Sequence, residues 1–475
     1  MSETSRLREL SSLPGPRGLP VLGNMLALDP DRFHLVLEGW AREFGDYYVF
    51  RIMTKPFLVV VDSEAIQKLL RERPRGFRRG ARVREVIDEI GARGVFTAEG
   101  EDWTRQRKLV MAAFKSTQVQ TFHDTVAAIT ERLLRLWRVA AREGRSIDVV
   151  AELMRYTVDV TTTVAFGQDM NTLEQGAGEL QQHLARFFAA VNRRLRAPIP
   201  YWRYFKLPED RVFERSRVVI EKVVFDIIRE ARAALERDEA RARQPRNLLE
   251  AMLAAHDADD PGARLTDEEI YGNVLTLLLA GEDTTALTMA WMLYFIGTHP
   301  EVAARMRAEV DALLGEGVDL PASSDDLHAL EYVAAVAQET LRLKGAAPLM
   351  FFEPVEDAAI DDVSLPAGNV VVVLTRAAAN RDRHFSDPHA FKPERWLKQI
   401  GARTDQHDAR AAMAFGTGPR VCPGRALALL ECSMVAAMVV RHFDVEVVDT
   451  GAKIDERFDF TMRPDNLRIR LVARG

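Results

Sequence analysis

Between Tyr271 and Thr298 lie two charge-free, largely apolar stretches, Tyr271 to Gly281 and Thr284 to Thr298, parted only by Glu282 and Asp283. A bilayer span needs about 20 uninterrupted apolar residues, and an acidic pair at its centre costs several kcal/mol. The segment is therefore expected to be a helix buried inside a protein, and burying it on all sides takes a large surrounding body. The chain has 475 residues. At roughly 150 residues per domain, that length allows three ordinary domains or one unusually large one. With 47% hydrophobic and 28% charged residues it is a globular chain, not a disordered one. Its net charge of -6 and pI near 6.0 argue against nucleic acid as a partner. The opening residues, Met1 to Glu9, carry charges and lack an apolar core, so no signal peptide or membrane anchor is expected.

Along the chain, Leu13 to Pro20 is too rich in Pro and Gly to be helix. Asp29 to Phe44 reads as a helix. Phe57 to Val61 reads as a strand closed by Asp62-Ser63, a good N-cap. From Trp103 to about His299 nearly every segment has helical spacing, with loops at Asn171 to Leu173, Ala197 to Pro208 and Asp257 to Arg264. Ser323 to Asp326 caps a helix that ends near Lys344-Gly345. Beyond it come strands at Val370 to Leu374, Asp444 to Val448, Phe458 to Met462 and Leu467 to Val472, interrupted by one long helix, Gly424 to Phe443. The expected class is mainly α with small β-sheets (α+β), in one unit without repeats or linkers. No Walker loop, His-Glu-x-x-His, Gly-x-Ser-x-Gly or dinucleotide fingerprint is present.

The chain has two cysteines, Cys422 and Cys432. Ten residues of mostly helical spacing put them on the order of 12–15 Å apart. A disulfide needs Cα atoms within about 7 Å, so none is expected. Cys432, among Leu430, Met434 and Val435, reads as a small buried hydrophobe. Cys422 sits in Phe415-Gly-Thr-Gly-Pro-Arg-Val-Cys422-Pro-Gly424 and opens directly onto a helix. A thiolate there feels unpaired N–H donors and the positive end of the helix dipole. Taken alone, this setting also describes a nucleophilic or inert cysteine on a turn, and that plainer reading leads.

The string resembles the haem-binding loop of the cytochrome P-450 superfamily, Phe-x-x-Gly-x-Arg-x-Cys-x-Gly, with Phe415, Gly418, Arg420, Cys422 and Gly424 in its five fixed positions. That resemblance reverses the order of readings. It implies the cytochrome P-450 fold, a helix-rich part and a β-rich part enclosing haem b (iron protoporphyrin IX), with residues 1–475 as one haem domain without a fused reductase. It also implies that Cys422 is the axial thiolate, which favours O–O cleavage.

Three further motifs occur in the family's order. Glu339-Thr-Leu-Arg342 alone is an ordinary i, i+3 pair, usually solvated; the resemblance makes Glu339, Arg342 and Arg395, from Pro393-Glu-Arg-Trp396, a buried structural triad. Trp103 and Arg107, spaced i and i+4, would otherwise mark a surface amphipathic helix; the resemblance assigns them, with Arg420, to the haem propionates. Ala280-Gly-Glu-Asp-Thr-Thr285 puts Ala280, Gly281 and Thr284 on one helix face, extended by Leu277 and Thr288. A mid-helix Thr often just bonds the i-4 carbonyl and bends the helix. The stretch resembles the family's oxygen-activation motif, in which Thr284 hydrogen-bonds dioxygen and Asp283, with water, delivers protons. One departure stands out: Pro348 to Glu353 lacks the basic residue that many members place there for a propionate.

The resemblance also implies the substrate contacts Phe96, Leu277, Ala280, Leu349 and Met350, with Phe187-Phe188 and Ile199 to Trp202 in a lid and Phe458 to Met462 closing the pocket. The lining is apolar, so the substrate is expected to be lipophilic: a fatty acid first, then a terpene, steroid or polyketide. Arg78, Arg79 and Arg82 would meet a carboxylate, or form a solvated basic loop. The expected enzyme is a cytoplasmic monomeric monooxygenase using O2, with electrons from a separate ferredoxin or flavodoxin docking at Arg105 and Lys108. The rivals are a cysteine-nucleophile enzyme with a distant His, and a helical scaffold without cofactor.

Overall fold

The computed structural model describes residues 7–114, 122–176, 178–197, 199–255, 264–397 and 407–474. The expected loop at Asp257 to Arg264 lies outside them except for Arg264. The chain divides into two compact units, one of residues 1–81, 335–422 and 454–465, the other of 82–334, 423–453 and 466–475.

The first unit is built on a five-stranded sheet. Its strands are β1 (Tyr47–Ile52), β2 (Lys55–Val60), β3 (Phe77–Arg79), β4 (Met350–Pro354) and β5 (Val370–Val373), in the spatial order β1-β2-β5-β4-β3. β2 and β5 pair in parallel and the other neighbours antiparallel. The run of four valines in β5 is continuous because both faces are covered. Val371 and Val373 face Ile66 and Leu69 of helix α2 (Ser63–Arg71), whereas Val372 and Leu374 pack with Leu37 and Ala41 of helix α1 (Phe33–Phe44). Asp62 caps α2 through the amides of Glu64 and Ala65. The expected helix from Asp29 begins instead with a single 3-10 turn, Pro30–Arg32, and becomes α-helix only at Phe33.

The second unit holds helices α3 (Gly100–Ala113), α4 (Val149–Phe166) and α5 (Asp267–Thr298). Thr266 and Glu269 cap α5 reciprocally. α5 packs along α4, and Gly281 explains how closely: a Cβ there would lie 2.9 Å from Thr161 Oγ1. A three-stranded sheet, Ser146–Asp148, Arg468–Ala473 and Phe443–Val447, completes the unit. The Ser146–Asp148 strand interrupts what reads in sequence as an all-helical region.

Two sequence expectations fail for one physical reason, a cap supplied from far along the chain. The helix expected from Ser323 to Lys344 is two, Ser324–Ala329 and α6 (Glu331–Lys344). The Glu309 carboxylate accepts from the amides of Tyr332 (2.7 Å) and Val333 (3.0 Å), giving α6 its own N-terminal cap. Likewise, Thr172 and Leu173, expected in a loop, begin a short helix, Thr172–Gln175, whose first amides donate to buried Asp159 at 2.7 and 3.1 Å. The last long helix is α7 (Arg425–His442). The apolar run Phe458 to Met462 is not a strand but straddles the turn of a hairpin, β6 (Asp455–Phe458) and β7 (Met462–Asp465). Among the described residues no helix is long and apolar enough to cross a membrane.

Candidate functional site

In the first unit the segment Phe415–Cys422 folds back on itself. The amide of Cys422 donates to the Phe415 carbonyl (3.0 Å), and those of Gly416 and Val421 donate to Met413 (2.9 Å) and Gly418 (3.1 Å). This closure explains the fixed spacing from Phe415 to Cys422. Gly418, at φ +74°, is pressed onto α2, where a Cβ would meet Arg71 Cα and the Leu70 carbonyl at 2.9 Å each. No other residue fits that place. Cys422 is exposed and stands three residues before the start of α7, with Gly424 as the N-cap; it is not in a disulfide. Cys432 differs in every respect: it is buried, and burial together with neighbouring Glu431 pushes its thiol well up. Among the described residues no cluster of three His, Cys, Asp or Glu side chains could hold a metal.

The same unit assembles Glu339, Arg342 and Arg395, all buried. Arg342 donates to both Glu339 oxygens (2.8 and 2.9 Å) and Arg395 donates to one (3.0 Å). Sequence reasoning missed two further donors, Trp396 Nε1 (2.9 Å) and the amide of Lys392 (3.0 Å). The Pro388 and Ser386 carbonyls and the Asn380 side-chain oxygen accept further guanidinium protons, and Arg342 lies 4.9 Å over the Phe385 ring. His407 packs edge-on against Phe385 and Trp396 and begins the segment that leads to the Cys422 loop. Leu349 is buried, and Met350 opens β4, paired with Val373. The segment Pro348 to Glu353 ends on an acid: Glu353 is buried and accepts from Arg78 Nε at 2.7 Å.

In the second unit, α5 is buried over most of its length, but Leu277 and the stretch from Leu279 to Thr284 are not. α5 runs through this stretch without a break. Thr284 Oγ1 donates to the Ala280 carbonyl (2.7 Å) and Thr288 Oγ1 to that of Thr284 (2.8 Å); Thr157 Oγ1 reaches across from α4 to the Glu282 carbonyl (2.9 Å). Phe96 is held beside α5 because the Val95 amide donates to Asn273 Oδ1 (2.9 Å), and Asn273 in turn donates to Gln106 (3.1 Å). Trp103 is buried on α3 and Arg107 half-buried one turn on. Arg105, expected as a docking cation, is ion-paired with Glu269 and with Asp102 (3.0 Å). Arg82 donates to the Ala197 carbonyl (3.0 Å).

Glu282 carries a signal the sequence did not give. Glu282 is only half-buried as a residue, but its carboxyl is largely shielded from water, and this loss of hydration, with the adjacent Asp283 charge, pushes it up to about 8. A raised carboxyl pKa costs nothing below the unfolded value of about 4.3. The cost to the fold grows as pH rises from there towards about 8, because only the unfolded chain then ionises. Glu282→Gln is therefore expected to raise the melting temperature, by an amount that grows between pH 5 and 8, worth about 1 kcal/mol or more at the top of that range. A pH-independent difference in melting temperature would contradict this.

A profile of the family described as Cytochrome P450 matches residues 13–471, nearly the whole chain. The chain belongs to the cytochrome P450 family. It is 28% identical over 440 residues to the cyclooctat-9-en-7-ol 5-monooxygenase of Streptomyces melanosporofaciens, covering 91% of this chain and 89% of that one. It is 27% identical to the pentalenene oxygenase of Streptomyces avermitilis, covering 97% of each. The crystal structure of a cytochrome P450, CYP102L1, superposes with a TM-score of 0.83 at 27% identity, covering 97% of this chain and 99% of that one. The protein is thus a P450 monooxygenase, an oxidoreductase whose cofactor is haem b and which needs O2, a lipophilic substrate and a source of electrons.

Proposed function

We propose that Cys422 is the thiolate ligand of haem iron and that the chain inserts one oxygen atom from O2 into an uncharged lipophilic molecule. The observation that carries this reading is the Cys422 loop: an exposed sulfur before a helix N-terminus, in a loop closed on Phe415 and pressed by Gly418 onto α2. Such a setting stabilises a thiolate and fits a metal ligand. Gly424, at the N-cap of α7, completes it. When bound, the haem supplies the redox chemistry that activates O2. Trp103, Arg107 and Arg420 are the residues we assign to its propionates, since guanidinium groups suit a buried dianion. Glu339, Arg342 and Arg395 hold the approach to the loop in place.

On α5, Ala280 is the small residue we assign beside a flat ligand, with Gly281 taken up by the close packing on α4, and Thr284 and Asp283 are the proton-handling pair. The Thr284 hydroxyl is fixed on the Ala280 carbonyl, which keeps its oxygen on the partly buried stretch of the helix. Thr284→Ala should leave the haem spectrum intact while diverting reducing equivalents into peroxide by about tenfold or more. Full coupling of electrons to product in this variant would exclude the assignment.

Phe96, Leu277, Ala280, Leu349 and Met350 are the residues we assign to the substrate. The carboxylate anchor that a fatty acid calls for is weakened, because Arg78 is paired with Glu353 and Arg82 with the Ala197 carbonyl. Relatives named for an alkenol and an alkene point the same way, to a terpene-like or steroid-like skeleton. We further read the enzyme as a single-domain, cytoplasmic monomer served by a separate ferredoxin or flavodoxin. Its docking patch comprises Arg105 and Lys108; Arg105 is also engaged by Glu269 and Asp102.

The deciding experiment is the absorption of the reduced, carbon-monoxide-bound protein, followed by spin-state titration with a terpene hydrocarbon and a fatty acid. A thiolate-type Soret band and a shift with the hydrocarbon are expected. No haem band would return Cys422 to the cysteine-nucleophile reading or leave a helical scaffold.

A further inference from the structure

Away from Cys422 and α5, the first unit contains a second buried charge cluster, centred on Glu456. The Glu456 side chain lies on β6, opposite Pro464 of β7, and is almost completely buried. Its carboxylate accepts from His34 Nε2 (2.8 Å) and Arg376 Nη1 (2.7 Å) and is ion-paired with Lys344. Arg376 is clamped in turn by both oxygens of Glu38, at 2.8 Å each. His34 and Glu38 are one turn apart on α1, Lys344 is the last residue of α6, and Arg376 lies in the short helix Thr375–Ala379. Three separate chain segments therefore meet on one hairpin.

The hairpin has further anchors, among them the ion pair of Arg32 with Asp455 (2.6 Å). The His34 ring packs on Phe458 with centroids 5.3 Å apart, and the Met462 amide donates to the Ala346 carbonyl at 2.8 Å. Two strands of four residues are marginal as an isolated hairpin, so outside contacts must set where this one lies. Buried ion clusters contribute little net stability but are well suited to fixing one arrangement over others. The Glu456 cluster also ties the hairpin to the end of α6, the helix that carries Glu339 and Arg342. Cation and anion counts match: Arg376 and Lys344 against Glu456 and Glu38.

We propose that Glu456 is a positioning residue that fixes the hairpin tip, Phe458 to Met462, and through it the shape of the substrate cavity. This rests on the haem-monooxygenase reading, in which that tip faces the substrate. The first test needs no haem. Lys344→Met, at a partly exposed member of the cluster, should speed hydrogen exchange of the 455–465 amides by about tenfold, leaving β2 and β5 unchanged. Unchanged hairpin exchange would overturn the proposal. The second test uses Glu456→Gln and two haem-ligating probes of different size, imidazole and phenylimidazole. The carbon-monoxide spectrum and imidazole affinity should match the wild type, while phenylimidazole affinity changes by about tenfold. Equal shifts for both probes, or none, would overturn it. If Glu456→Gln fails to fold, the exchange result for Lys344→Met decides. A wild-type protein without a haem spectrum refutes the monooxygenase reading instead, and the exchange test still judges the anchoring.

Discussion

Cys422→Ser is expected to abolish the thiolate-type Soret band of the reduced carbon-monoxide complex and to reduce monooxygenase turnover by more than the 10–100-fold typical of outer-shell changes at metal sites. Serine keeps the size and the backbone geometry: the loop is closed by the residue 422 amide on the Phe415 carbonyl and by Gly418 on α2, and neither contact involves the sulfur. Folding should therefore be nearly unchanged, with a melting temperature within a few degrees of wild type. What changes is the donor. An alcohol at this position stays protonated at neutral pH, whereas a thiol before a helix N-terminus ionises readily. Cys432→Ser is the matched control. Cys432 is buried with no metal-binding setting, so its substitution should leave the spectrum alone. A Cys422→Ser protein with an unaltered carbon-monoxide spectrum would remove Cys422 from the metal altogether.

What the sequence revealed, and what it hid, divides along a physical line. The Cys422 loop is legible because its constraints are local: a backbone bond across seven residues and two glycines at positive φ. The depth of α5 is legible from its composition, and the Glu339 and Arg342 pair from a single helical turn. Contacts between distant elements leave no such trace. Arg105 reads as a free surface cation until Glu269, 164 residues away, is brought against it. Arg78 reads as a carboxylate receptor until Glu353 arrives on the neighbouring strand. Glu309 and Asp159 cap helices that their own flanking residues do not announce. The hairpin at Phe458 to Met462 reads in sequence as a strand because apolar residues flank a turn whose backbone bond, Asp459 N–H to the Thr461 carbonyl, lies inside the run. Trp396 was within reach, since it ends the Pro-Glu-Arg-Trp string, but its indole proton has meaning only once Glu339 is seen beside it.

Glu339→Ala is expected to be the most destabilising of the substitutions considered. Glu339 is the single anion of its cluster, facing two guanidiniums, an indole N–H and a backbone amide. Removing it strands Arg342 and Arg395 as buried cations with only carbonyl and side-chain amide oxygens to accept their protons. Breaking a buried pair this way costs about 3–5 kcal/mol. That is a large share of the 5–15 kcal/mol that holds a native protein together. Arg342→Ala should cost less, because Glu339 would keep Arg395, Trp396 and the Lys392 amide as partners. Glu339→Gln should fall between wild type and Glu339→Ala, since it keeps an acceptor but loses the charge. The order is measurable as denaturant midpoints by circular dichroism, with haem retention followed in parallel. Because His407 links Phe385 and Trp396 to the chain leading to Phe415, haem should be lost at lower denaturant than helix signal in the Glu339→Ala protein. A cost below about 1 kcal/mol for Glu339→Ala would mean that the cluster is solvated in practice, as an ordinary surface ion pair is. In that case the reading of Glu339 as the anion that organises the Cys422 loop would fall with it.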